Sequence, residues 1–131
     1  MLMVDSSVWI DYFNGRITPQ TNHLDTILGI DEIVIGDLIL AEVLQGFRLD
    51  KDYEVAKKAM YAFPVLSLVG PDIALKSADN YRFLRKRGMT IRKTIDCLIA
   101  TFCIVNVLEI LHPDSDFDPF EQHLPLNVVH P

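Results

Sequence analysis

Short apolar runs alternate with helical segments along the whole chain, and this alternation restricts the fold more than any other feature of the sequence. The runs predicted to be strands are 2–4, 33–35, 65–69 and 107–111, with 126–129 as a fifth. Helical spacing, capping residues and stop signals predict helices over about 6–13, 21–28, 38–45, 51–62, 71–87 and 94–105. Strands that alternate with helices favour a parallel sheet covered on both faces. We therefore expect a three-layer α/β/α fold around a central, mainly parallel sheet of four to five strands.

Length and composition indicate one domain. The 131 residues contain no internal repeat and no linker, so we expect a single domain over 1–131. Half of the residues are hydrophobic and 23% are charged, which excludes a disordered tail or a low-complexity linker. Cys97 and Cys103 lie in one apolar helical run and are expected to be reduced residues of the core.

The expected location follows from two absences in the sequence. The first residues lack the basic region and the small-residue cleavage site of a signal peptide. No window of about 18 or more residues is apolar throughout, as a membrane span requires. We therefore expect a cytoplasmic protein that makes no membrane contact.

Carboxylates follow two of the predicted strands. Asp5 ends the first strand and could itself cap the next helix, but Ser6 and Ser7 are expected to cap it just as well, which leaves Asp5 for another role. The acidic loop with Asp114, Asp116 and Asp118 follows the fourth strand. Ligands of open parallel sheets bind beyond the carboxyl ends of the strands, where these acids lie. An acidic loop alone, however, is also typical of a solvated surface.

Two further carboxylates are embedded in apolar helices. Glu42 has apolar neighbours for most of two turns, with no Lys or Arg three or four residues later. Asp96 lies in the apolar segment 94–100. The alternatives are an exposed stripe on the helix for Glu42, and for Asp96 an acid that favours the helix dipole in a first turn.

Together these acids predict a divalent-metal site. Three or four carboxylates without an internal cation need a metal ion to coexist. Oxygen ligands without paired Cys or His favour magnesium, with manganese as a substitute, over zinc. The chemistry typical of such a site is phosphodiester hydrolysis by a metal-activated water. The four histidines lack metal-ligand spacing and are expected to pack or lie on the surface, although His112 directly precedes the acidic loop.

Four segments, in this order along the chain, resemble the PIN-domain ribonucleases, and among them the VapC-like toxins of VapBC toxin-antitoxin systems. They are Val4–Asp11, Ala41–Gly46, Thr94–Ala100 and Asp114–Phe120. The resemblance implies a PIN-domain endoribonuclease toxin whose products carry a 5′-phosphate and a 3′-hydroxyl. It also implies a homodimer and a cognate VapB-like antitoxin whose tail occupies the acidic groove.

The resemblance also assigns the site residues. Asp5, Glu42, Asp96 and one of Asp114 or Asp116 would bind magnesium. The preference is for Asp114 as the fourth ligand, with Asp116 contributing directly or through water. Ser7 occupies a position that often helps to orient the site. Asp118 is expected to be a surface or capping residue, and Asp11 a solvated acid.

A local basic segment provides a way for an acidic chain to hold RNA. The formal net charge of −6 excludes binding of nucleic acid by overall positive charge. Six of the 12 basic residues nevertheless lie within 82–93, directly before the segment with Asp96. We expect Arg92 and Lys93, followed by Arg85 and Arg87, to contact phosphates; the alternative is a solvated helix end.

Three other readings compete with a nuclease. A phosphoryl-accepting receiver domain would need an Asp at the end of the third strand, and the segment 65–70 has none. A haloacid-dehalogenase-type phosphatase would need a second Asp where Ser7 stands. A catalytically idle PIN-like module that only binds protein remains the alternative, and a cleavage assay separates it from an enzyme.

Overall fold

The computed structural model describes all 131 residues and has an α/β architecture with five strands. The strands are β1 (Leu2–Val4), β2 (Ile33–Gly36), β3 (Val65–Leu66), β4 (Glu109–Leu111) and β5 (Asn127–Val128). The helices are α1 (Ser6–Phe13), α2 (Pro19–Ile27), α3 (Asp37–Leu44), α4 (Asp50–Met60), α5 (Pro71–Lys86), α6 (Thr94–Asn106) and α7 (Asp118–His123), with a 3-10 helix at Ser115–Phe117.

The strands form one parallel sheet in the order β3-β2-β1-β4-β5. The apolar strand β1 is buried along its whole length because it lies in the centre and pairs on both sides. Helix α1 packs against α2 and α3, whereas α5 packs against α6 and α7. The sheet and its flanking helices enclose a core of 26 buried apolar residues. The predicted fold class is therefore confirmed.

The register between β1 and β4 sets the position of the site. Val4 pairs with Leu111, and the Asp5 N–H donates to the Leu111 carbonyl at 3.0 Å. Parallel pairing thus brings the residues that follow both strands to the same edge of the sheet. Asp5 and the start of the acidic loop lie there, next to each other.

Several element boundaries differ from the prediction. The third strand is shorter than 65–69 because the Leu68 N–H turns away to donate to Asp37 Oδ1, 31 residues earlier, at 3.1 Å. The fourth strand begins at Glu109 because Val107 ends α6 in a left-handed conformation, with φ of 53°. Helix α2 begins earlier than predicted, at Pro19, because Thr18 and Thr21 form a reciprocal capping box.

Two other sequence expectations have clear outcomes. Cys97 and Cys103 are both free and buried, as predicted. None of the helices combines the length and the apolar character that a membrane crossing requires.

Candidate metal centre

Asp5 lies at the junction between β1 and α1, where it is 4% exposed. Its side chain caps α1: the Ser7 N–H and the Ser7 hydroxyl donate to Asp5 Oδ2 at 3.3 and 2.5 Å. The expectation that Ser6 and Ser7 would cap this helix was therefore wrong, because the buried carboxylate satisfies the first free N–H groups itself. Burial raises the pKa of Asp5, and the hydrogen bonds from Ser7 oppose the shift.

Asp96 is in the first turn of α6 and is 5% exposed. Its Oδ2 is buried without a hydrogen-bond partner. Burial, reinforced by the charge of Asp5, raises the pKa of Asp96 to about 7, although Lys93 lowers it. A buried carboxylate with a free oxygen is costly for a protein unless a cation or a proton compensates it.

The acidic loop after β4 brings two more carboxylates to Asp96. Asp114 precedes the 3-10 helix, and its Oδ1 accepts the Asp116 N–H at 2.9 Å. One oxygen each from Asp96, Asp114 and Asp116 lie within 4.8 Å of one another. Both acids approach Asp96 closely enough to share a cation with it, which is compatible with Asp114 as a ligand and a contribution from Asp116.

Glu42 approaches the group from α3. Its Oε1 is buried without a partner. Burial raises the pKa of Glu42, the charge of Asp5 raises it further, and Lys93 opposes both effects. Glu42 and Asp5 are not among the three mutually close acids, yet Asp5 acts electrostatically on both Glu42 and Asp96. All the acids expected to bind metal therefore belong to one electrostatic cluster.

Two cations border this cluster, and both are residues that the sequence analysis expected to contact phosphates. Arg92 donates from Nη2 and Nε to Asp116 Oδ1 at 2.8 and 3.2 Å, while its side chain stays 70% exposed. Lys93 is the residue before α6, and its charge lowers the pKa of both Glu42 and Asp96. Both cations are exposed and lie at the rim, so the buried Asp96 Oδ2 and Glu42 Oε1 still have no hydrogen-bond partner.

Arg85 and Arg87 are arranged differently from Arg92. The Arg87 guanidinium lies 3.4 Å from the centre of the Phe83 ring and donates to the Phe83 carbonyl at 3.2 Å. The Arg85 guanidinium lies 5.7 Å from the centre of the Tyr81 ring. Both side chains are exposed, and these contacts are with residues of α5 and not with the acids.

His112 is the site residue for which sequence analysis gave no role. It directly follows β4 and is 7% exposed. The Asp114 N–H donates to His112 Nδ1 at 3.0 Å, and His112 Nε2 is buried without a partner. Burial lowers the pKa of His112, and the charge of Asp5 opposes the shift. The signal in the sequence was position alone, since His112 follows β4 as Asp5 follows β1.

The donor set fits a hard divalent cation. Asp96 Oδ2 and Glu42 Oε1 are buried oxygens without partners, and three carboxylates converge within ligand distance. Such oxygen-rich sites suit magnesium or manganese. The nearby thiol of Cys97 is engaged elsewhere, because it donates to the Ser77 carbonyl at 3.3 Å. The arrangement can bind a cation beside the exposed Arg92 and Lys93.

Comparisons with known proteins agree with this architecture. The family model of the PIN domain matches residues 2–121, which include all the acids described above. VapC ribonuclease Mb1587 of Mycobacterium bovis and Ribonuclease VapC11 of Mycobacterium tuberculosis are each 28% identical over 120 residues, covering 90% of both chains.

Two solved structures show how closely the fold is shared. A chain of VapBC2 from Rickettsia felis, bound to a DNA fragment from its promoter, superposes with a TM-score of 0.76 at 16% identity, covering 98% of this chain and 96% of that one. A chain of a toxin-antitoxin complex from Klebsiella pneumoniae gives a TM-score of 0.74 at 20% identity, covering 99% and 97%. At these identities the likeness establishes the fold.

Proposed function

Because the chain belongs to the PIN domain family, we propose that it is an endoribonuclease toxin that hydrolyses RNA phosphodiester bonds with magnesium, or manganese as a substitute. The observation that carries the proposal is the convergence of Asp96, Asp114 and Asp116 next to buried Asp5. The names of the two mycobacterial relatives, both ribonucleases, support RNA as the substrate.

The proposed ligands are Asp5, Glu42, Asp96 and Asp114, with Asp116 as an additional one. Ser7 orients the site by fixing Asp5 Oδ2 with two hydrogen bonds. A bound magnesium ion would supply a lowered pKa for the attacking water and neutralise charge on the phosphate. The carboxylates would hold that ion at the carboxyl edge of β1 and β4, where Asp5 and Asp96 are buried.

The proposed contacts to RNA are cationic and lie at the rim of the acids. Arg92 and Lys93 precede α6 directly, so they can hold phosphates on either side of the bond that is cut. Arg85 and Arg87 extend the positive surface along the end of α5. Arg92 already contacts Asp116, so this side chain can move between a carboxylate and a phosphate.

Inhibition by a cognate VapB-like antitoxin is part of the proposal. The structural relatives from Rickettsia felis and Klebsiella pneumoniae come from toxin-antitoxin complexes. The pairing of Arg92 with Asp116 also shows that a guanidinium fits among these acids. An arginine of an antitoxin tail is therefore a chemically suitable occupant of the same groove.

We further propose a cytoplasmic homodimer. Its support is apolar side chains left exposed near the start of α5, where Val69 is 44% and Leu75 is 68% exposed. Light scattering of the purified chain measures the assembly directly. A monomer at all concentrations would remove the dimer from the proposal without affecting the reaction.

The decisive experiment is cleavage of total RNA by the purified chain, with magnesium, with EDTA, and with an Asp5→Asn variant prepared in the same way. Asn also caps helices well, so this variant should fold while losing a charged ligand. Discrete fragments that require both metal and Asp5 are expected. A folded, metal-binding protein that cuts no RNA would instead favour the idle protein-binding module.

A further inference from the structure

We propose that His112 is a positioning residue of the metal centre: its Nδ1 fixes the backbone of the loop that presents Asp114 and Asp116 to Asp96. This inference rests on the proposed function, because it concerns the same site. It assigns no contact between His112 and RNA or metal. It gives the reason why the acidic loop holds two carboxylates in one place.

The position of His112 follows from the sheet. Val4 pairs with Leu111, so the next residue of each strand, Asp5 and His112, emerge together at the carboxyl edge. The Asp5 N–H donates to the Leu111 carbonyl at 3.0 Å, which continues the pairing to this edge. The imidazole is therefore buried directly beside the first acid of the centre.

The hydrogen bond from Asp114 requires one form of the ring. An imidazole nitrogen that accepts an N–H carries no proton, so the proton of neutral His112 is on Nε2. The doubly protonated ring has no acceptor and cannot make this bond. The 3.0 Å contact between Asp114 N and His112 Nδ1 thus anchors the loop to the end of β4.

The hydrogen bond to His112 also positions the residues that follow Asp114. With its backbone held, Asp114 accepts the Asp116 N–H and begins the 3-10 helix. Phe117, the last residue of that helix, is fully buried, and its ring centre lies 4.7 Å from that of His112. The loop is therefore held at its first acid by a hydrogen bond and after its second by packing, both from His112.

Two substitutions of His112 distinguish the role of Nδ1 from that of Nε2. An acceptor that reaches the N–H two residues later is also what an Asn side chain provides in an Asx turn. His112→Asn therefore keeps an acceptor in the place of Nδ1 and loses Nε2. His112→Gln places its amide farther out, near the position of Nε2, and loses the acceptor at Nδ1. The two variants are both polar and of similar size.

The experiment measures Mn²⁺ affinity by calorimetry and hydrogen exchange of the Asp114 amide by NMR, with exposed His123→Gln as the matched control. Both variants lose the ring that packs on Phe117, so we expect His112→Asn, which keeps the acceptor, to stay closer to wild type than His112→Gln in both measurements. We expect His112→Gln to weaken Mn²⁺ binding by about 10- to 100-fold, as loss of a residue supporting metal ligands does, and to speed exchange of the Asp114 amide. In cleavage assays, the kcat of His112→Gln should fall while its KM for RNA stays the same.

The outcomes separate this inference from the proposed function. Equal Mn²⁺ affinity in wild type and both variants, or rescue by Gln in place of Asn, would overturn the role of His112 and leave the nuclease proposal standing. If the wild type binds Mn²⁺ but cuts no RNA, the proposed function is wrong. The Mn²⁺ affinities of the two variants, compared with each other, still test the role of His112. A wild type that binds no Mn²⁺ overturns both. Thermal unfolding in EDTA establishes that each variant is folded.

Discussion

Replacing Asp96 by Asn should stabilise the metal-free protein at neutral and alkaline pH, although it removes a residue of the proposed site. In the folded chain the pKa of Asp96 is about 7, against 3.8 as the ordinary value. The difference of about 3 units corresponds to about 4 kcal/mol at about 1.4 kcal/mol per unit. That free energy opposes folding whenever the carboxylate is charged, and an amide does not incur it.

The sign of the pH dependence follows from the two pKa values. Below the ordinary value both the folded and the unfolded chain carry the proton, so the penalty is absent. As pH rises from 3.8 to about 7, the unfolded chain loses its proton first and stability falls; above that range the full penalty remains. The advantage of the Asn variant should therefore grow by about 2 to 3 kcal/mol between about pH 5 and about pH 8.

Urea unfolding in EDTA at both pH values, for wild type and Asp96→Asn, measures this change directly. Constant effects of the new amide cancel when the two pH values are compared. Asp79→Asn, an exposed acid on α5, is the control and should show no such growth. A difference between Asp96→Asn and wild type that does not change with pH would refute the account of Asp96 as a buried, uncompensated carboxylate.

Two further predictions concern the cations around and within the site. Replacing Arg92 and Lys93 by Ala, on the uncleaving Asp5→Asn background, should weaken RNA binding. The slope of log binding constant against log salt concentration should become shallower by about 1.4, at about 0.7 per phosphate contact. An unchanged slope would contradict these contacts, and a double Ala variant of the exposed 57–58 lysines on α4 is the control. Mn²⁺ affinity should rise as pH increases through the pKa of Asp96, about 7, because the ligand must lose its proton; calorimetry that finds the same affinity on both sides of that pKa would argue against Asp96 as a ligand.

The part of the site that the sequence predicted depends on strand order along the chain. Asp5 and the acidic loop follow two apolar runs, and parallel strands end at a common edge. The prediction therefore needed no knowledge of side-chain geometry. Asp96 and Glu42 were candidates because carboxylates in apolar helices conflict with their surroundings, and in the structure both have a buried oxygen without a hydrogen-bond partner.

The parts that the sequence did not predict depend on contacts between distant residues or on the choice of partner. Arg92 meets Asp116 across 24 residues, so neither helical spacing nor strand alternation indicates the pair. Asp5 acts as the cap of α1 because the helix begins at Ser6, which places Asp5 at the N-cap position with the Ser7 N–H as its donor. The short β3 likewise results from a bond between Asp37 and Leu68, 31 residues apart.

The orientation of two helices explains how the fold tolerates this concentration of acids. Asp5 caps the N-terminus of α1, and Asp96 lies in the first turn of α6, so the positive ends of both helix dipoles are near the carboxylates. A dipole at a helix end contributes about 0.3 to 1 kcal/mol, or about 2 when partly buried. The penalty of about 4 kcal/mol on Asp96 alone exceeds this. The helix ends make the cluster possible, but they leave an excess of negative charge that a divalent cation can neutralise. Arg92 and Lys93 at the rim supply the local positive charge through which a chain of net charge −6 can attract a phosphate beside this cluster.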